Sequence, residues 1–205
     1  MKKITLGIIL LLPILANAQL KINEIMTNNV SAVWDDAYNH SMWVELYNTS
    51  SVTTVNQSAY YFTDNLTQPK KWAPSSKLIT PGTYSVLWFE NEDRTGHASF
   101  KLDPDGGTLY MLTAAAQIID SITYPKQFRN ISYGRKTDGG SEWVFFEAFS
   151  NGTTNNGKKY SAVRCANPVF NLPAGFYSST KNASFATPAA GDTIYYTVNG
   201  AEPTR

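Results

Sequence analysis

An all-β, antiparallel β-sandwich is predicted by three observations on this chain of 205 residues. Short segments alternate apolar and polar residues with a period of two, and clusters of Gly, Pro, Asn, Asp and Ser punctuate them about every ten residues. No stretch after the first twenty residues carries a 3.6-residue apolar periodicity of ordinary helix length. About nine or ten short strands fit between Leu20 and Phe146.

The first residues are a leader rather than part of the sandwich. Lys2 and Lys3 precede an apolar run from Ile4 to Leu15, and Ala16-Asn17-Ala18 closes it before Gln19. This is the charged, apolar and small-x-small order of a secretory signal peptide, so residues 1–18 are expected to be cleaved off after Ala18. The apolar run is short for a membrane anchor of ~20 residues. Export to the periplasm, the cell surface or the medium is therefore expected, with no membrane span after cleavage. No Cys follows the small residues, so a lipid-modified N-terminus is not indicated.

The strands follow in order. Leu20 to Met26 is the first, broken by Thr27-Asn28-Asn29. Residues 30–42 read as a long loop holding Asp35, Asp36 and His40, leading into Trp43-Val44-Glu45-Leu46-Tyr47-Asn48. There Val44 and Leu46 point to the core, which places Trp43, Glu45 and Tyr47 on the outer face. Tyr60 to Thr63 is a short strand, and Lys71 to Pro74 an extended edge, since Pro74 has no N–H for a ladder. Thr80-Pro81-Gly82-Thr83 has the Pro and Gly positions of a type II turn. It delivers the chain into Tyr84 to Phe89, apolar on both sides. Ala98 to Leu102 follows, then two hairpins: 108–113 with 118–124, and 131–135 with 142–146 around Asp138-Gly139-Gly140.

The composition changes at Ser150, where Asn151-Gly152-Thr153-Thr154-Asn155-Asn156-Gly157 is small and polar. The expected organisation is a signal peptide over 1–18, a sandwich over 19–150, a linker over 151–166 and an incomplete second β domain over 167–205. In that last unit Asp192 to Val198 reads as a strand ending at the turn Asn199-Gly200.

Charge and cysteine content narrow the function classes. The formal net charge is +1, and losing Lys2 and Lys3 with the leader leaves 15 basic against 16 acidic residues. Such a chain lacks the basic excess of a nucleic-acid binder. Cys165 is the sole cysteine, which excludes an internal disulfide and reads as a small buried apolar residue. Stability must come from an apolar core, which a domain of ~150 residues is large enough to bury.

No catalytic constellation is present. There is no phosphate loop, no Gly-x-Ser-x-Gly elbow and no His-Glu-x-x-His helix. Asp35, Asp36 and His40, with Glu45 in the next strand, offer metal-ligand chemistry, but their spacing matches no defined site and a solvated loop accounts for them. Glu90, Glu92, Asp93 and His97 offer an acid and a base, and are read as a charged loop at a strand end. No cofactor and no metal is assigned. Five Trp and twelve Tyr make glycan stacking the competing function, with Trp34, Tyr60, Tyr61 and Trp72 as the candidate rings.

Six phrases fall in a recognisable order: Ile22 to Met26, Trp43 to Asn48, Tyr60 to Asn65 with Trp72, Pro81 to Tyr84, Ile119 to Ile122, and Ser132 to Arg135 with Asp138-Gly139. Together they resemble the bacterial lamin-tail domain, an immunoglobulin-like module also found in nuclear lamins. The resemblance implies an Ig-like sandwich used for binding or spacing in exported proteins. Within it, Arg135 is expected to pair with a carboxylate such as Asp120 rather than to form an anion nest. Pro173 to Tyr177, Thr187-Pro188, Ile194 to Thr197 and Asn199-Gly200 resemble the opening of a chitobiase C-terminal-type β domain. That pair of modules often precedes a kinase-like domain, which would make this chain an accessory region of a larger cell-surface enzyme. The expected function is a non-catalytic, exported module whose partner is a protein or a glycan at the cell surface; the sequence leaves the oligomeric state open.

Overall fold

The computed structural model describes residues 19–92, 94–161, 168–186, 193–201 and 203. Residues 1–18, where a signal peptide is expected, and Asp93 and Cys165 lie outside them. Among the described residues no α-helix is present, and no helix is long and apolar enough to cross a membrane. The chain divides into two compact units, 1–160 and 161–205.

The first unit is built on β1 (Leu20–Met26) and β2 (Met42–Asn48), which pair antiparallel at the centre of a seven-stranded sheet. On one side of β1 lie β10 (Ser132–Arg135), β11 (Trp143–Phe146) and β12 (Tyr160–Ser161). On the other side of β2 lie β6 (Tyr84–Phe89) and β7 (His97–Ala98). A second sheet has the order β4 (Tyr60–Thr63), β8 (Gly106–Thr113), β9 (Ile118–Pro125), and β3 (Val55–Asn56) pairs with β5 (Leu78–Ile79) beside it. β6 and β7 run parallel, with Trp88 opposite His97.

One core joins these layers, because a period-two strand must bury its apolar face against another sheet. Ile22, Val44, Leu46, Leu87 and Phe89 from the large sheet meet Phe62, Leu109, Met111 and Ile122 from the smaller one. Fully burying one such side chain is worth about 1.5–3 kcal/mol. The turns act as expected: Gly82 has φ +69° with Thr83 N bonded to Thr80 O at 3.2 Å, and Gly139 has φ +68° in the β10–β11 connection.

Four expectations for the first unit change. The edge at Lys71 to Pro74 is a single bridge between Trp72 and Phe62, and the strand expected over 98–102 is the two-residue β7. Trp43 and Glu45 are fully buried, not on an outer face. The reason is that the chain returns over this face after β11: Phe149 packs edge-on against Trp43 at 6.4 Å, and Gly152 N donates to Glu45. The stretch expected to be a linker from 151 thus supplies a buried residue, Asn155, to the first unit.

The second unit contains β13 (Val169–Phe170) paired with β14 (Phe185–Ala186). Phe170 and Phe185 meet at 5.0 Å, and Phe185 and Tyr196 at 5.7 Å. Residues 193–198 form no strand, in contrast to the expectation; a strand exists only through ladder bonds to a neighbour, and none is made to them among the described residues.

Candidate functional site

The β1–β2 loop owes its shape to two side chains. Asn29 donates to Val33 O and Ser41 O and accepts from the N–H groups of Ala32 and Val33. Asp35 Oδ1 accepts from Ala37 N and Asn39 N at 2.8 Å each, the local bonding that makes Asn and Asp loop residues. Burial disfavours ionisation of Asp35, but hydrogen bonds from Asn39, Ser41 and Ala37 outweigh it and hold its carboxyl below the ordinary range.

Because β2 and β6 are neighbours, this loop meets the β6–β7 loop at one end of the sandwich. Arg94 Nη2 lies 3.2 Å from Asp35 Oδ2 and 2.9 Å from Glu90 Oε1. Its Nη1 reaches Asp36, and its Nε lies 2.9 Å from Glu92 Oε2. His97 is fully buried, with Nε2 2.9 Å from Asp36 Oδ1 and Nδ1 facing Glu90 Oε1. The Arg94 hydrogen bond, then that of His97, holds the Asp36 carboxyl below its ordinary range. Ser41 Oγ sits between Asp35 Oδ2, at 2.8 Å, and Glu90 Oε2.

The same end carries a cleft of about 510 Å³, lined by Asn28, Asn29, His40, Glu90, Glu92 and Lys101 among others. Its lining is mainly polar and includes Met42 and Phe89.

Structure brings together residues that sequence reasoning treated as two separate loops. Asp35 and Asp36 join Glu90, Glu92 and His97; Asp93 lies outside the described residues. His40 and Glu45 do not join them: His40 Nδ1 bonds Val33 O at 2.9 Å, and Glu45 lies in a different buried network. Ser41 and Arg94 were missed. The one signal for Arg94 was its place as the sole cation in the acidic run 90–94.

The four candidate stacking rings occupy different settings. Trp34 is 59% exposed, and its ring lies 3.8 Å from that of the cleft residue His40. Trp72 packs between Phe62 and Phe89, at 6.0 and 5.6 Å, as part of the core. Tyr60 also packs on the core. Tyr61, adjacent on β4 and so on the opposite face, receives Lys70 Nζ at 5.6 Å. No two of these four rings stack on each other among the described residues.

A second polar centre lies beneath the returning segment. Asn23 sits where the β1–β2 register shifts, so Glu24 stands opposite Glu45. Glu45 accepts from Asn23 Nδ2 and Gly152 N; Glu24 accepts from Ser150 N. Asp138 accepts from Asn23, Tyr84 and Asn155. Burial opposes its ionisation, but these bonds together with that from Thr154 keep its carboxyl low. Desolvation, reinforced by Glu24, pushes Glu45 up to about 8. Next to this centre, Arg135 Nη2 meets both oxygens of Asp120 at 3.1 and 3.0 Å, and Arg135 Nε bonds Ile22 O at 2.7 Å. The expected Arg135–Asp120 pair is thus formed.

Residues 14–126, more than half of the chain, match the family model described as Lamin Tail Domain. Residues 172–205 match the one described as Chitobiase/beta-hexosaminidase C-terminal domain. No curated protein and no solved structure matches.

Proposed function

Because the chain belongs to the Lamin Tail Domain family, an immunoglobulin-like β-sandwich, we propose that it is an exported, non-catalytic module for binding or spacing at the cell surface or in the periplasm. The observation that carries this reading is how the ionisable groups of the first unit are used. Glu24, Glu45, Asp138, Asp120 and Arg135 are bound into the fold by one another and by backbone groups, which leaves none of them presented to a substrate. The open feature is the polar cleft at the β1–β2 end, a shape suited to holding a ligand by hydrogen bonds. Its partner is a protein or a glycan, and the near-neutral charge argues against nucleic acid.

A glycan is the second reading, favoured by Trp34 beside the cleft and by the match of residues 172–205 to a domain named for chitobiase and hexosaminidase. A third reading makes the chain the accessory region of a larger cell-surface enzyme with a kinase-like domain beyond Arg205, and reading the gene past that codon tests it.

One experiment separates the first two. The full chain is titrated against a glycan panel up to millimolar ligand, with Trp34→Ala alongside, and the ligands are recovered and checked for cleavage. Binding lost in Trp34→Ala supports the glycan reading. No binding removes the glycan and leaves a protein partner or a spacer role, and cleavage of any panel member contradicts a non-catalytic module.

A further inference from the structure

We propose that Asp35, Glu90 and His97 form a binding site for a divalent transition-metal ion, with Zn²⁺ the best fit. One ligand atom from each lies within 4.8 Å of the other two, so small side-chain adjustments bring all three to the ~2.0–2.2 Å bond lengths of such an ion. They come from the β1–β2 loop on one side and the end of β6 and start of β7 on the other, far apart in sequence and held together by the β2–β6 pairing.

Acidic groups alone would not make a site; His97 is what distinguishes this one. Its side chain is fully buried, and Nε2 lies 2.9 Å from Asp36 Oδ1. An imidazole that donates its Nε2 proton to a carboxylate turns an Nδ1 lone pair the other way, the arrangement in which outer carboxylates orient metal-binding histidines. Nδ1 then lies in direct contact with Glu90 Oε1, without hydrogen-bond geometry to any group among the described residues. A buried lone pair against a carboxylate oxygen is repulsive unless a proton takes it up or the two atoms part to share a metal ion. One imidazole nitrogen with two carboxylates selects zinc and its neighbours over the all-oxygen preference of calcium or magnesium.

Arg94 is the competing cation. It contacts Asp35 and Glu90 through Nη2, and also Asp36 and Glu92, both half or more exposed, through Nη1 and Nε. Those outer carboxylates retain the guanidinium when an ion takes the inner ones. The charge balance favours this: four carboxylates, Asp35, Asp36, Glu90 and Glu92, face a single arginine.

The test is calorimetric titration of the untagged full chain, stripped with chelator, with Zn²⁺ and separately with Ca²⁺; folding of each variant is checked by its thermal melt. The proposal expects one equivalent of Zn²⁺ bound more tightly than Ca²⁺. Glu90→Gln, which keeps the side-chain size, and His97→Ala should abolish that binding. Asp36→Asn, changed at an exposed position, should weaken it by about 10–100-fold. Arg94→Gln should leave it as tight or tighter. No Zn²⁺ binding at millimolar ion, preference for Ca²⁺, binding that survives Glu90→Gln, or loss of binding in a folded Arg94→Gln would each overturn the site.

Discussion

Glu24 and Glu45 stand directly opposite each other on β1 and β2, both fully buried, and each is held by neutral donors of the segment that returns over the sheet. Ser150 Oγ carries one hydrogen yet touches both Glu24 Oε2 and Asn155 Oδ1. Asn155 cannot be turned round, because its Nδ2 is used by Arg135 O at 2.8 Å. A protonated Glu24 would supply the second hydrogen, and burial, which raises its pKa, favours that form.

This pair gives stability an unusual pH dependence. A carboxyl whose pKa is higher folded than unfolded binds more protons when folded, so its contribution is complete below the unfolded value of 4.5 and is lost as pH rises through the folded one. For Glu45, raised to about 8, the loss between pH 5 and pH 8 is on the order of 4 kcal/mol. The aspartates with lowered values, Asp35, Asp36 and Asp138, act oppositely, and only as pH falls below the ordinary carboxylate range. Thermal melts should therefore show the midpoint falling from pH 5 to pH 8, and Glu45→Gln should flatten that slope.

The returning segment should be part of the folding unit. A fragment of residues 19–150 lacks Gly152 and the buried Asn155, leaving the backbone carbonyl of Arg135 and the carboxyl of Glu45 without these donors. At about 1–3 kcal/mol for each buried group left unpaired, it should unfold at clearly lower denaturant than residues 19–161. Equal midpoints would show that the segment is dispensable.

Arg135 should resist even conservative replacement. Its Nη2 donates to both Asp120 oxygens while Nη1 donates to Gly140 O and Nε to Ile22 O, and its guanidinium lies 4.7 Å from the Trp143 ring. Lysine offers neither the fork nor the stacking plane. Arg135→Ala should cost about 3–5 kcal/mol, as expected for breaking a buried ion pair, and Arg135→Lys a large part of that, read from denaturant midpoints. Adding Asp120→Asn to Arg135→Ala should recover some of the loss.

Gly134 is needed for space rather than for backbone freedom. A Cβ there would lie 2.9 Å from Glu24 Cγ, 2.9 Å from Phe146 Cε2 and 3.0 Å from Asn23 O. Gly134→Ala should destabilise by about 1–3 kcal/mol, the usual cost of overpacking. A stabilised variant would mean that Glu24 does not occupy its place against β10.

The legible part of this fold was the part encoded by alternation and turn chemistry. Val44 and Leu46 were placed in the core by the period of two, and Gly82 and Gly139 marked turns that need positive φ. Glu45 went wrong because alternation tells which face is apolar, not whether a later segment covers the other one; the cover comes from residues more than a hundred positions on. The meeting of Asp35 with Glu90 and His97 was illegible for a related reason. It depends on β6 lying beside β2, a long-range pairing that neither loop announces. The pairing of Arg135 with Asp120 was reached through a family resemblance rather than from either residue's neighbours.

Export is the claim on which the functional reading rests, and the mature N-terminus tests it most directly. The full chain is expressed in a bacterial host, cytoplasmic and extracytoplasmic fractions are separated, and the purified protein is sequenced from its N-terminus. The account predicts a protein outside the cytoplasm that begins at Gln19, and its retention inside when residues 1–18 are deleted. A cytoplasmic protein still beginning at Met1 would contradict it.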